Sequence, residues 1–322
     1  MNEPPTAAIK RRPLVLRIFR DVIGWFDSGA VGPRQAFSDQ PVSYEIDWVR
    51  QLPFLALHLM VFGVIWVGWS PVAVAVALAG YFLRMFGLTA FYHRYFSHRS
   101  YKANRFWQFM FALWGNTSVQ KGPLWWASHH REHHRNSDQP ADVHSPVQHG
   151  FWWSQIGWIL AKSSRGTNLT VVRDLAKYPE LRFLDRFHVL VPVLYATGMW
   201  FLGAWLEQVK PEWGTNAPQM LIWGFFVSTV ILVHGTGTIN SLAHVIGRRR
   251  FETTDQSRNH FGLALLTLGE GWHNNHHRYP TSARQGFRPS DIDITYYVLK
   301  GMEKLHIVSD LKEPPDHLKA VR

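Results

Sequence analysis

Four long apolar stretches fix what this chain can become. Leu52–Trp69, Phe187–Leu206 and Ala217–Asn240 contain no Asp, Glu, Lys or Arg, and Val72–Tyr92 contains only Arg84. A helix needs about 20 such residues to cross a hydrocarbon layer of about 30 Å. The pattern therefore predicts an all-α integral membrane protein with spans at 52–69, 72–92, 187–206 and 217–240. Phe106–Val119 is apolar but shorter, and reads as a buried or interfacial helix.

Charge placement orders the spans. If they pair as two hairpins, the connections Ser70-Pro71 and Glu207–Asn216 hold one base, Lys210. The other side, residues 1–51, 93–186 and 241–322, holds 32 of the 34 Lys and Arg. Arg50, Arg94, Arg186 and Arg248-Arg249-Arg250 crowd the span ends, which by the positive-inside rule predicts cytoplasmic termini. The net charge of +11 is then membrane orientation, and a nucleic-acid partner becomes unnecessary. Lys10-Arg11-Arg12 is followed by no apolar run with a small-residue cleavage site, so no secretory leader is expected. The reading divides the chain into a cytoplasmic N-terminal segment, residues 1–51, and a membrane domain, residues 52–322. The cap of that domain is 93–186 plus 241–322.

Nine of the 18 histidines form three boxes and one outlier: His93 and His98, then His130, His133 and His134, then His273, His276 and His277, with His244 after the fourth span. On a helix, offsets of three and four fall at about 300° and 400°, so each HxxHH can aim three imidazoles at one point. An offset of five lies about 140° away, so the helix is expected to end between His93 and His98, or the cluster to lie across its end. Nine imidazoles exceed the sites of one ion, which argues for two metals. Without any Cys, disulfides, thiolate zinc sites and Fe–S clusters are excluded, and two irons fit neutral imidazole best. His58, His188 and His234 read as packing residues, and His129 falls outside the box register. His144, His149, His260, His306 and His317 read as solvated.

The order and spacing of HRYFSHRSY, HHREHH with SDQPADVHSP, NSLAH and EGWHNNHHRYP resemble the membrane fatty-acyl desaturases, in particular the Δ9, stearoyl-CoA-desaturase-like branch. The resemblance runs from about Leu52 to beyond His277. It implies four spans and a cytosolic cap holding two irons on the nine histidines, with Asn240 holding a metal-bound water. It also implies that Gln120, Trp126 and Thr236 enclose the bend of an acyl tunnel. Animal members place basic CoA contacts where this chain has Ser128 and Lys162-Ser163, so Lys162 alone is expected at the headgroup. Acyl-CoA is the first choice of substrate and a phospholipid-bound chain the second. Gln155 replaces a family histidine outside the iron set.

The resemblance implies an O2-dependent oxidoreductase that makes a cis double bond in a saturated acyl chain. No haem, flavin or Cys cluster is visible in the sequence. Electrons are therefore expected from a separate ferredoxin, rubredoxin or cytochrome b5 with its reductase, as in prokaryotic-type members without a fused cytochrome b5. The setting is a bilayer, a bacterial inner membrane, with the active site on the cytoplasmic face. The same three-box pattern serves membrane hydroxylases and alkane monooxygenases, which stay open as the alternative. A membrane metal carrier fits poorly, because the ligands lie outside the spans.

Overall fold

The computed structural model describes residues 14–31 and 42–320. Lys10-Arg11-Arg12 and the last two residues lie outside the described residues. Every regular element among those described is helical, and the remaining pairings are isolated bridges.

Helix α1, Leu14–Phe26, exposes Ile18, Phe19, Ile23 and Phe26 in one apolar stripe. Such a stripe suits a helix lying in a membrane interface. Four long apolar helices follow: α2 (Trp48–Val67), α3 (Pro71–Ser97), α7 (Leu190–Val209) and α8 (Ala217–His244). Between them stand α4 (Arg105–Asn116), α5 (Pro123–Asn136) and α6 (Pro179–Arg186). The last part carries α9 (Phe261–Leu266), α10 (His273–Arg278) and α11 (Ile294–Lys304).

The spans match the apolar stretches, with two extended. At 27 and 28 residues, α3 and α8 are each about 40 Å long, about 10 Å more than the hydrocarbon layer. Their last turns therefore leave the membrane and enter the cap, carrying His93 on one and Asn240 and His244 on the other. These two helices form the inner pair, 56% and 61% buried along their apolar windows against 11% for α2 and 17% for α7.

The two hairpin connections lie side by side. Gly68 adopts φ +65°, and the Ser70 side chain caps α3 ahead of Pro71. Ser70 Oγ meets Thr215 Oγ1 at 2.5 Å, while Gln219 Nε2 and Trp223 Nε1 donate to the carbonyls of Val67 and Gly68. Arg84 is buried within α3, where it donates to the Gly80 carbonyl and to the Ser228 and Thr229 hydroxyls of α8. An intramembrane cation is costly unless its donors are so satisfied.

Helix α4 is the shorter apolar stretch. Gln108, Phe111, Ala112 and Gly115 are buried on one face while Phe106, Met110 and Trp114 face outward, so one face packs inward and the other is exposed. Phe111 stacks on Phe91 of α3 at 4.1 Å between ring centroids. This core of the cap continues through Tyr95, Leu124, Leu175 and Leu299. It holds α5 against α3.

Candidate metal centre and adjoining cavity

The segment Gly87–Ser97 of α3 is a π-helix. Its i→i+5 pairing stacks residues five apart, and the His98 amide donates to the His93 carbonyl at 3.2 Å. The helix ends at Ser97 with His98 as its C-cap, so the cluster lies across the helix end, as the offset of five implied. The last turns widen, and both rings reach one point.

The nine histidines converge in two groups. His93, His98, His130, His134 and His276 form one and His133, His244, His273 and His277 the other, with the nitrogens of each group within 4.8 Å of one another. The boxes are split, contrary to the expectation that each HxxHH aims at a single point. Residues four apart on a helix differ by about 40°, so His130 pairs with His134, and His273 with His277. The middle members, His133 and His276, face the opposite group. Helices α5 and α10 thus each contribute to both.

Carboxylates fix the tautomers. Nδ1 of His93 lies 2.6 Å from Glu270, that of His133 2.9 Å from Asp142, that of His244 2.9 Å from Asp138, and that of His277 2.6 Å from Asp255. An ionised carboxylate only accepts, so Nδ1 keeps the proton and Nε2 turns a lone pair inward. These Nε2 atoms crowd: His98 to His130 at 2.7 Å, His276 to His134 at 2.9 Å, His93 to His276 at 3.0 Å and His244 to His273 at 3.1 Å. The buried Nε2 of His277 has no hydrogen-bond partner. Converging lone pairs call for a cation, and an all-imidazole donor set suits a borderline metal such as iron.

Electrostatics agree. Burial first, and then the charge each would present to the others, holds His98, His130, His134, His273 and His276 well below the ordinary imidazole range. Burial lowers His277 to about 4 against the pull of Asp255. His133 is burdened by burial too, yet Asp142 lifts it above its ordinary value.

The sequence reading missed these carboxylates. Asp138, Asp142 and Glu270 stand inside the quoted motif stretches, where an acid beside a box was the available signal, whereas Asp255 gave none. His144 was read as solvated but is buried against Asp142 and His133, with burial pushing it down to about 3. His149 bonds Tyr44 and the Asp142 carbonyl, and His260 caps α9, so neither is simply solvated. His306 and His317 are exposed as expected. His129 belongs to neither group, and its Nδ1 bonds the Trp125 carbonyl. His58 and His234 do pack, Nε2 to Nε2 at 3.3 Å between α2 and α8.

A cavity of about 790 Å³ adjoins the groups, within the roughly 300–1,000 Å³ of small-molecule sites. His130, Asn240, Gln120, Trp126 and Thr236 all line it. Trp126 Nε1 donates to Gln120 Oε1 at 3.3 Å, and Gln120 Nε2 donates to Thr236 Oγ1 at 3.0 Å. Trp126 also stacks on His130 with centroids 5.0 Å apart. The three residues therefore form one hydrogen-bonded wall against the first group. Val119 and Lys121 flank Gln120 at φ +61° and +59°, a strained conformation for residues with a Cβ. Asn116 Nδ2 and Tyr92 Oη pin this loop by donating to the Lys121 carbonyl.

The headgroup expectation fares differently. Lys162 does not line the cavity but pairs with Glu45, and Ser128 is buried on the Trp125 carbonyl. Arg50, Lys121 and Arg165 are the bases that do line it. Gln155, in the family's histidine position, bonds the His234 carbonyl and Ser241 between α8 and the cap.

Residues 48–289 match the family model "Fatty acid desaturase". The chain belongs to the fatty acid desaturase family. The sn-1 stearoyl-lipid 9-desaturase of Anabaena variabilis is 32% identical over 271 residues, 83% of this chain and 94% of that one. The sn-2 palmitoyl-lipid 9-desaturase of Nostoc sp. (strain 36) is 31% identical over 89% of this chain and 96% of that one. An acyl-CoA 5-desaturase of Anemone leveillei is 37% identical over 72% and 69%. This chain is thus a membrane fatty-acyl desaturase, an oxidoreductase of lipid metabolism with histidine clusters able to bind metal. Those relatives are desaturases by name, and the hydroxylase alternative is set aside.

Proposed function

We propose that this desaturase holds two irons, one in each histidine group, and forms a cis double bond at Δ9 of a saturated acyl chain. The observation that carries the reading is the hydrogen-bonded wall of Trp126, Gln120 and Thr236 standing directly on His130 in a cavity shared with Asn240. The 9-desaturases among the relatives support the position of attack. Two irons, when bound, supply the O2-dependent oxidising power that unactivated methylenes require. Reduction of O2 to two waters takes four electrons, two from the C–H bonds and two from an external donor such as a ferredoxin, rubredoxin or cytochrome b5.

The protein's share is positioning. Gln120, Trp126 and Thr236 would turn the acyl chain so that two neighbouring methylenes alone meet the metal, which fixes both the carbon attacked and the cis geometry. Asn240, on the cavity wall near the end of α8, would hold a metal-bound water. Buried walls keep bulk water out. The carboxylates behind His93, His133, His244 and His277 hold the rings in the ligating tautomer.

Expression in a desaturase-deficient host, followed by analysis of double-bond position and geometry, tests the reading. A cis-Δ9 product supports it, and hydroxylated lipid or an unchanged profile overturns it. We further propose cytoplasmic termini and cap in a bacterial inner membrane, from the basic span ends. Labelling residues 70–71 and 207–216 from the outer face checks this, and a terminus labelled from that face overturns it.

A further inference from the structure

The cavity has one open long side. Pro53, Ala56 and Met60 on α2 line it, as do Val193, Thr197 and Trp200 on α7, and all six also face outward. Spacings of three and four make each trio one helix stripe, about 10 Å long. The two stripes border the same space, yet α2 and α7 share no extended packing. This seam lies within the spans, where the surroundings are hydrocarbon, so an apolar opening there carries no penalty.

A second cavity of about 470 Å³ adjoins the first and shares Lys121, Trp125, Arg165 and His188 with it. Arg182 lines it and makes no ion pair among the described residues. The Arg165 Nε is buried without a hydrogen-bond partner, although that guanidinium also pairs with Asp47. The acid in this wall, Asp185, is already engaged by the Trp125 amide and the Thr167 hydroxyl.

We propose that the acyl chain enters sideways from the bilayer through the α2–α7 seam while still part of a glycerophospholipid, whose phosphate rests on Arg182 and Arg165. This deepens the desaturase reading by naming the substrate class, and it rests on that reading. Threading a chain end-on requires a headgroup that stays behind on one side and a free tail. A two-chain lipid has a free tail, but its second chain has to stay in hydrocarbon, so it cannot thread from the aqueous side; it can lay one chain into an open seam. Acyl-CoA would offer the same phosphate chemistry, yet a substrate reaching the cavity from water has no use for an opening at membrane depth.

The absence of cysteine makes the seam testable. In a chain carrying Ala56→Cys and Thr197→Cys, a bis-maleimide finds only those two thiols. Reconstituted in vesicles of phosphatidylglycerol with one diazirine-bearing stearoyl chain, the uncrosslinked protein is expected to be labelled on the peptides holding Met60 and Trp200. Labelling should fall to background after crosslinking, and this readout needs no iron. In the iron-loaded protein with reductant and O2, crosslinking should likewise stop desaturation of the vesicle lipid. Arg182→Gln should raise KM for phosphatidylglycerol about fivefold, the scale of one exposed ion pair, with kcat kept. Labelling or turnover indifferent to the crosslink overturns the proposal, as does conversion of stearoyl-CoA with the phospholipid left unconverted. If phospholipid labels the seam but loaded protein makes no double bond from either substrate, lateral binding stands and the desaturase reading fails.

Discussion

Glu270 joins His93 to Arg94: one carboxylate oxygen lies 2.6 Å from His93 Nδ1, and the other accepts from the Arg94 guanidinium at 3.0 Å. Arg94 is fully buried and also meets Asp293 at 2.9 Å and the Ala283 carbonyl. A ring of the five-histidine group is thereby tied to the ion pair that closes the cap over α3. Glu270→Gln keeps the shape and removes the charge. Metal affinity should fall about 10- to 100-fold, the usual cost of losing such a partner. Stability should fall by about 3 kcal/mol, the low end for a broken buried pair, because Asp293 remains. Metal titration and chemical denaturation measure the two, and an unchanged metal affinity would show that His93 needs no partner.

The split boxes make a stoichiometric prediction. His134→Ala removes a nitrogen from the five-histidine group and His277→Ala one from the four-histidine group. Each variant should hold less iron per chain than wild type and lose turnover. Elemental analysis beside product assay decides this; full iron with normal turnover in both would contradict the assignment.

Acid should unfasten the metal-free protein. Six of the nine imidazoles have folded values below their ordinary range, His277 at about 4, while unfolded chains titrate near 6.5. Between about 6.5 and 4 the unfolded chain binds protons that the fold refuses, so stability rises with pH there and is lost as pH falls. His133, which is raised, runs the other way but is outnumbered. The melting temperature should drop from about pH 7 to about pH 5, and bound metal should leave over the same window. A flat profile would mean that the rings titrate in the fold as they do in the unfolded chain.

Trp126→Ala opens the wall beside His130. A displacement of about 1 Å can lower the rate about a hundredfold, so turnover should fall and the double-bond position should scatter while iron content stays normal. Lys319→Ala, on a short C-terminal helix outside both histidine groups and the cavity, should do neither. An unchanged position and rate in Trp126→Ala would reduce Trp126 to ordinary packing.

The spans and the nine histidines were legible because each signal is local: a charge-free run of about 20 residues, or rings three and four apart on one helix. The partition was not, since sending His133 and His276 across to opposite groups depends on how α5 and α10 are turned in the cap. The π-helical widening that unites His93 with His98 was also invisible to arithmetic based on an α-helix. Asp255 sits 22 residues before the His277 it orients, and nothing near it marks it out. Lys162 shows the opposite failure: a basic residue in the expected place was claimed by Glu45 from a distant segment.

The last histidines in the chain decide when either group can exist at all. The five-histidine group lacks His276, and the other lacks His244, His273 and His277, until the fourth span and the segment after it have been made. A nascent chain still on the ribosome carries five of the nine rings through to His134 yet closes neither ligand set. On the proposed ligation, metal loading would wait for the finished membrane domain, and a truncated product would have no complete site for an iron oxidant in a bilayer of oxidisable lipid.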